Sequence, residues 1–207
     1  MFRFGMILVT ALALTPGQLQ RSVAPLDSRE AVTYFVEEGK GVPGYQDSDR
    51  ELARLAFEAW SRESGGKLKF APAATGDGAL IRLRWISPNS GLYGETERVQ
   101  VKGKIGAIVN VMPQVSAQGG PVAGRAAQDV LFRETIVYLT CVHELGHAIG
   151  LSHTSKFEDI MYFFGYGGNI LDYFMRYRNK LQSREDIAKY SGLSAGDIEV
   201  LRKIYSQ

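Results

Sequence analysis

All three histidines of this 207-residue chain lie within one segment of eleven residues, HELGHAIGLSH, which spans residues 143–153. Two of them, His143 and His147, are four residues apart, so on an α-helix they share one face and can reach a single cation. Gly150 can adopt a positive φ angle, end the helix and turn the chain, so that His153 returns to the same point. The segment therefore predicts a helix, a sharp turn and a metal site at one place in the fold.

A glutamate, Glu144, follows the first of these histidines. Zn²⁺ suits the histidines, because catalytic zinc sites use three protein ligands and leave one position open. Glu144 points about 100° away from His143 around the helix, so we predict that it is not a ligand and reaches a water at the open position. A zinc-activated water with Glu144 as general base can hydrolyse an internal peptide bond. The alternative is a non-catalytic zinc-binding module, against which the presence of Glu144 argues.

The first residues differ in character from the rest. Arg3 precedes a short apolar run at residues 6–14, and Pro16 and Gly17 interrupt it. The run is too short to cross a bilayer, which takes about 20 residues, and this order is typical of a secretory signal peptide. We predict a signal peptide at residues 1–24, without a clear cleavage site, and one domain at 25–207; a buried N-terminal strand or helix is the alternative. The mature protein would then be periplasmic or extracellular and not inserted in a membrane.

Composition narrows the class of protein further. A hydrophobic fraction of 45% supports a core without help from a metal or a disulfide, and a net charge of +2 is too small to indicate a nucleic-acid partner. The one cysteine, Cys141, cannot form an internal disulfide. Two positions before His143 on a helix it points about 160° away from the ligand face, so we interpret it as a small buried hydrophobe, with a reactive thiol as the alternative. We expect a monomer.

The order of local patterns favours an α+β fold, with strands first and helices later. Strand patterns occur at residues 31–39, 67–70 and 79–86, and two more strands, LYGETERVQV and KIGAIVNVM, flank a turn at Lys102 and Gly103. An amphipathic helix follows a capping box of Ser48 and Glu51 and ends at Gly65 and Gly66. A glycine-rich loop is expected at 116–126, then helices at 128–148, at 171–182 and from Ser194.

The complete pattern H-E-x-x-H-x-x-G-x-x-H, with Met161 eight residues after His153, resembles the metzincin zinc endopeptidases. The resemblance implies a metzincin-like domain with a twisted mixed β-sheet, an antiparallel edge strand, a long active-site helix and a C-terminal helix. It also implies that Met161 lies beneath the metal as an apolar floor and does not bind it. Plain core packing of Met161 is the alternative.

Thr154, directly after the third histidine, and the pair Met161-Tyr162 are similar to the matrixin branch of that family, although Phe163 replaces the proline usual after the pair. The similarity extends over roughly residues 30–205. Few residues separate the apolar leader from the first strand, so we expect no propeptide with a cysteine switch. No histidine remains for the second, structural zinc of vertebrate matrixins, so we predict one zinc. A calcium site stays undecided, with Asp77 and Asp129 as isolated candidates.

Metzincins bind a protein or peptide substrate as an added strand along a sheet edge. The resemblance places this edge near residues 92–96, with KIGAIVNV as the alternative edge strand. The aromatic segment after Met161, YFFGYGGNILDYF, predicts an apolar pocket for the residue just after the scissile bond, unless these aromatics only fill the core. The candidate substrate-binding residues are Leu92, Tyr93, Gly94, Glu95, Thr96 and Tyr162.

Overall fold

The computed structural model describes residues 24–88 and 93–206. The predicted signal peptide, apart from its last residue Ala24, lies outside the described residues, and so does Leu92. Among the helices that are described, none combines the length and the apolar character that crossing a membrane needs.

A five-stranded mixed sheet forms the first layer of the fold. Its strands run in the order β2-β1-β3-β5-β4, and β4 is antiparallel to β5 while the other pairs are parallel. The chain therefore places β4 at one edge, and the alternative that KIGAIVNV is the edge is wrong, since β5 lies between β3 and β4. The strands are β1 Val32–Val36, β2 Phe70–Pro72, β3 Ile81–Trp85, β4 Gly94–Val101 and β5 Lys104–Val111.

The turn between β4 and β5 explains why this pair is antiparallel. Lys102 and Gly103 have φ angles of 51° and 79°, and two successive positive φ angles match the right-handed twist of a tight hairpin. A two-residue turn leaves no room for a crossover, so after the turn β5 must run back alongside β4. The predicted turn is confirmed at these residues.

In the part of the chain that the structure describes, five α-helices accompany the sheet: α1 Asp49–Glu63, α2 Gly120–Gln128, α3 Val130–Ala148, α4 Ile170–Arg178 and α5 Ala195–Ile204. Helix α3 packs against β4, β5 and α1. Trp60 of α1 is fully buried, and its indole N–H donates to the carbonyl oxygen of Val142 at 2.9 Å. The predicted α+β architecture, with a mixed sheet, an antiparallel edge strand and a long central helix, is confirmed.

Helix α3 is enclosed by the rest of the protein along most of its length. Asp129 caps its N-terminus by accepting a hydrogen bond from the Phe132 amide at 3.0 Å. Cys141 is a free cysteine with no exposed surface, and burial raises the pKa of its thiol. The interpretation of Cys141 as a buried hydrophobe therefore holds, because a neutral, inaccessible thiol is a poor nucleophile.

The capping box predicted at Ser48 and Glu51 is wrong. Ser48 has helical backbone angles (φ −65°, ψ −16°), and its side chain makes no capping hydrogen bond. Its neighbour Asp49 is fully buried and accepts from Arg133 of α3 at 2.8 Å and from the Gln46 amide at 2.9 Å. A tertiary ion pair therefore fixes the start of α1 instead of the local motif.

The glycine-rich loop predicted at 116–126 is also wrong, because α2 occupies most of it. Pro121 lies in the first turn of α2, where its missing N–H has no helical partner to lose and its fixed φ favours the helix. Gly119, with a φ angle of 68°, directly precedes α2, and Gly120, with a φ angle of 57°, is its first residue. The helix predicted from Ser194 is present as α5, and the structure shows that Ser194 caps it in a capping box with Asp197.

Candidate active site

The end of α3 brings the three histidines together. His143 and His147 lie on its last two turns, and Gly150 follows with a φ angle of 106°, a conformation that favours glycine. The Leu151 amide then donates back to the Gly146 carbonyl at 2.9 Å, so the chain reverses and returns His153 to the helix. One potential ligand atom from each histidine lies within 4.8 Å of the other two.

Hydrogen bonds set the tautomer of the His143 and His147 imidazole rings. His143 Nδ1 lies 2.6 Å from the Ile160 carbonyl oxygen, and His147 Nδ1 lies 3.0 Å from that of Leu151. A carbonyl can only accept, so each Nδ1 carries the proton and each Nε2 keeps a free lone pair. Burial lowers the pKa of His143 to about 3 and that of His153 to about 4, and it also lowers the pKa of His147.

The neutral rings fit a zinc ion. Neutral imidazole is the form that binds transition metals, and a hydrogen-bonded second nitrogen is the usual support of a ligand histidine. Two nitrogens each about 2.0–2.1 Å from a tetrahedral zinc lie roughly 3.3 Å apart. His147 Nε2 and His153 Nε2 lie 3.1 Å apart, close to that separation. These residues can therefore hold one zinc ion.

The two candidate calcium residues are engaged elsewhere. Asp77 accepts from Arg82 at 2.9 Å, and Asp129 accepts from Arg178 at 3.0 Å in addition to capping α3. Within residues 24–88 and 93–206, only the three histidines form a cluster of at least three potential ligand side chains, whether histidine, cysteine or acidic. Neither aspartate belongs to such a group.

Met161 lies directly against the helix turn that carries the histidines. It is fully buried, and a Cβ atom on Gly146 would stand 2.3 Å from its sulfur. Asp197 of α5 holds the backbone here, because its carboxylate accepts from the amides of Ile160 at 2.8 Å and of Met161 at 3.4 Å. Asp197 belongs to the capping box at the start of α5. No sequence pattern around Asp197 indicated that its carboxylate also holds the backbone at Met161.

Glu144 points from α3 towards the edge strand β4. The Thr96 hydroxyl lies 2.8 Å from Glu144 Oε2, and a Cβ atom on Gly94 would stand 2.7 Å from Glu144 Cγ. Burial raises the pKa of Glu144 to about 7; the charge of Glu95 acts in the same direction and the hydrogen bond from Thr96 opposes it. A dication bound at the histidines would lower this pKa again, because opposite charge favours the carboxylate.

A cavity of about 340 Å³ opens in front of the histidines and Glu144. Three of the predicted substrate-binding residues at or beside the edge strand, Tyr93, Gly94 and Glu95, line it, and so does Tyr162. Thr96 contacts Glu144 instead. The aromatic segment both fills the core and faces the cavity, since Tyr173 and Phe174 are buried yet line it. The aromatic wall consists of Tyr93, Tyr162, Phe163, Phe164, Tyr173 and Phe174.

Comparison with known proteins identifies the family. The matrixin family model matches residues 26–171, which is more than half of the chain. The chain belongs to the matrixin family. Macrophage metalloelastase of Oryctolagus cuniculus is 29% identical over 143 residues, which cover 67% of this chain and 28% of that relative. This matrixin therefore spans less than a third of the length of the curated relative it matches.

Membership of the matrixin family confirms the resemblance drawn from the histidine segment, and with it the metzincin type of fold. It also agrees with the three converging histidines, since matrixins are zinc metalloproteases. Family and geometry thus agree on a metal site at the three histidines.

Adding one methyl group at Gly146 should destabilise this matrixin. The new Cβ would stand 2.3 Å from Met161 Sδ and 3.1 Å from Trp60 Cζ2, and overpacking of this kind costs about 1–3 kcal/mol. We expect Gly146→Ala to lower the free energy of unfolding, measured by urea denaturation, by about that amount, although alanine is the better helix former.

The matched control is Gly124→Ala in α2, where a Cβ meets no atom within 4 Å and the free energy of unfolding should rise by up to about 1 kcal/mol. Equal gains in both variants would contradict the tight contact.

Proposed function

We propose that this matrixin is a secreted zinc endopeptidase that hydrolyses internal peptide bonds with Glu144 as general base. The observation that carries the proposal is the convergence of three neutral histidines next to a buried carboxylate, in a cleft bounded by the edge of a sheet. A non-catalytic zinc module would need the histidines but would have no use for Glu144 in the cleft.

The metal would be held by His143, His147 and His153, and for the first two by Nε2, because Nδ1 is engaged by a carbonyl. When bound, zinc supplies Lewis acidity, which polarises the scissile carbonyl and makes a water easier to deprotonate. The ring orientations are set in advance by the Ile160 and Leu151 carbonyls. Tyr173 adds support, because its hydroxyl donates to the Ile160 carbonyl oxygen at 2.9 Å.

Glu144 would move the proton. Its carboxylate lines the cleft beside His143 and His147, so it can accept a proton from the attacking water and later donate it to the departing amine. A carboxyl group that performs both steps benefits from a buried site, because burial makes the protonated form accessible near neutral pH. No covalent link between enzyme and substrate is needed.

The substrate would lie along β4. Its outer edge is unpaired within the described residues, because β5 occupies only the inner side, and an extended peptide can add to such an edge through backbone hydrogen bonds. We propose Gly94 and Glu95, with Leu92, Tyr93 and Thr96 beside them, as the edge contacted by the substrate, and Tyr162 as the opposite side. The aromatic wall would accept an apolar side chain just after the scissile bond.

Export is part of the proposal and rests on the pattern of residues 1–24. The protein would be released outside the cytoplasm, in the periplasm or the extracellular medium, and act there as a monomer on protein or peptide substrates. Protein recovered from that compartment should have lost an N-terminal segment of about this length, as expected of a signal peptide. Recovery of a chain that still begins at Met1 would contradict it.

Incubation of the exported, zinc-loaded protein with a broad peptide library tests the enzymatic proposal. We expect about one zinc per chain, cleavage of internal bonds with an apolar residue directly after the break, loss of cleavage on chelation and recovery when zinc is restored. Absence of cleavage with zinc bound would favour the non-catalytic module. Cleavage of small amides alone would indicate a different amidase, and two zinc ions per chain would contradict the site count.

A further inference from the structure

The inner face of the edge strand β4 is built around α3. Alternate residues of a strand share one face, and on β4 the residues Gly94, Thr96 and Arg98 face the helix. Arg98 donates to the carbonyl oxygens of His147, at 3.4 Å, and of Ala148 at the end of α3. The strand proposed to receive the substrate therefore also contacts the helix turn that carries Glu144 and the histidines.

Thr96 contacts Glu144 twice. Its hydroxyl oxygen lies 2.8 Å from Oε2 of the carboxylate and 2.8 Å from the main-chain carbonyl oxygen of the same residue. A hydroxyl has one proton to donate and can rotate between two acceptors. Thr96 can therefore keep a hydrogen bond to Glu144 whichever of the two oxygens is the better acceptor.

Gly94 leaves the space that the other carboxylate oxygen needs. A Cβ atom at this position would stand 2.7 Å from Glu144 Cγ and 3.0 Å from Oε1, too close for any larger residue without displacement. Oε1 makes no hydrogen bond with the residues that the structure describes. The two oxygens thus differ, since Oε2 accepts from Thr96 whereas Oε1 has no such partner among the described residues and belongs to a side chain that lines the cleft.

We infer that Thr96 is a positioning residue for proton transfer, a role that rests on the proposed function and extends it. While Glu144 is ionised, the Thr96 hydroxyl donates to Oε2 and directs Oε1 towards the attacking water. The hydrogen bond to Oε2 holds the carboxyl group in one orientation, and β4 aligns the base and the substrate together.

Steady-state kinetics of three variants test this inference. Thr96→Val preserves the shape of the side chain without the hydroxyl, and Thr96→Ala provides a second variant without it. We expect both to lower kcat about tenfold with KM changed less than about twofold, because the lost interaction orients a catalytic group and does not bind substrate. Thr96→Ser keeps the hydroxyl and should stay within about threefold of the wild-type kcat. Zinc content should be the same in all of them.

The matched control is Thr135→Val. Thr135 is fully buried on α3, the helix that carries Glu144, and its hydroxyl has no partner among the described residues. This change therefore removes a threonine hydroxyl near the site without breaking a hydrogen bond. Its kcat should equal that of the wild type. Wild-type kcat in Thr96→Val, an equal loss in Thr96→Ser, or a loss confined to KM would each overturn the role of Thr96. A wild type that cleaves nothing while loaded with zinc would instead overturn the proposed function itself.

Discussion

Replacing Glu144 by glutamine is expected to lower kcat for peptide cleavage by about 10²–10⁴-fold, the usual contribution of a general base. Glutamine has nearly the same size and can still accept a hydrogen bond from Thr96, but it cannot take a proton from water. The three histidines are unchanged, so zinc binding should remain at about one ion per chain. The measurement is the initial rate of cleavage of one peptide selected from the library, with zinc content determined on the same sample.

Glu199→Gln is the control for this change. Glu199 is exposed on α5 and lies outside the cleft, so its replacement removes the same charge from the protein without touching the site. It should cleave at the wild-type rate. A Glu144→Gln enzyme that retains more than about a tenth of the wild-type kcat would show that another group accepts the proton. Loss of zinc from that variant would mean instead that Glu144 supports the metal site.

Replacing His147 by alanine is expected to abolish both zinc binding and cleavage. His147 is one of three ligands, and His143 and His153 alone provide too few for a stable catalytic zinc site. A ligand that binds the folded state stabilises it by about 4 kcal/mol when its concentration is a thousand times its dissociation constant. Under those conditions a chelator should lower the free energy of unfolding of the wild type by about that amount and leave that of His147→Ala nearly unchanged.

The comparison of the two metal-free proteins serves as the control. Without metal, His147→Ala should differ from the wild type only through the lost hydrogen bond to the Leu151 carbonyl and the lost packing, a cost of about 1–3 kcal/mol. A variant that still binds zinc as tightly as the wild type would show that His147 is not a ligand. Equal sensitivity of both proteins to the chelator would lead to the same conclusion.

Features that depend on residues close in the chain could be predicted from the sequence. The helix that carries His143 and His147, the glycine turn at Gly150 and the hairpin turn at Lys102 and Gly103 all depend on neighbours within a few positions. Each has a strong local signal, namely a spacing of four, a glycine at a positive φ angle or two turn residues between strands. Where such signals agree, tertiary packing has little to override.

The capping box expected at Ser48 shows where local signals fail. A serine followed by a glutamate three residues later predicts the motif, but Asp49 is drawn into an ion pair with Arg133, 84 residues away. Burying that carboxylate without its partner would cost several kcal/mol. The tertiary pair therefore decides how α1 begins, and no pattern near Ser48 contains this information.

The sequence by itself determined which side chains can bind the metal, in which order strands and helices follow, and that β4 and β5 are antiparallel. Only the tertiary structure decided that β4 is the edge, that Thr96 holds Glu144 and that Asp197 holds the segment of Met161. These contacts join residues 48 and 36 positions apart. Their partners are chosen by how α3, β4 and α5 pack around one core, and not by the propensities of neighbouring residues.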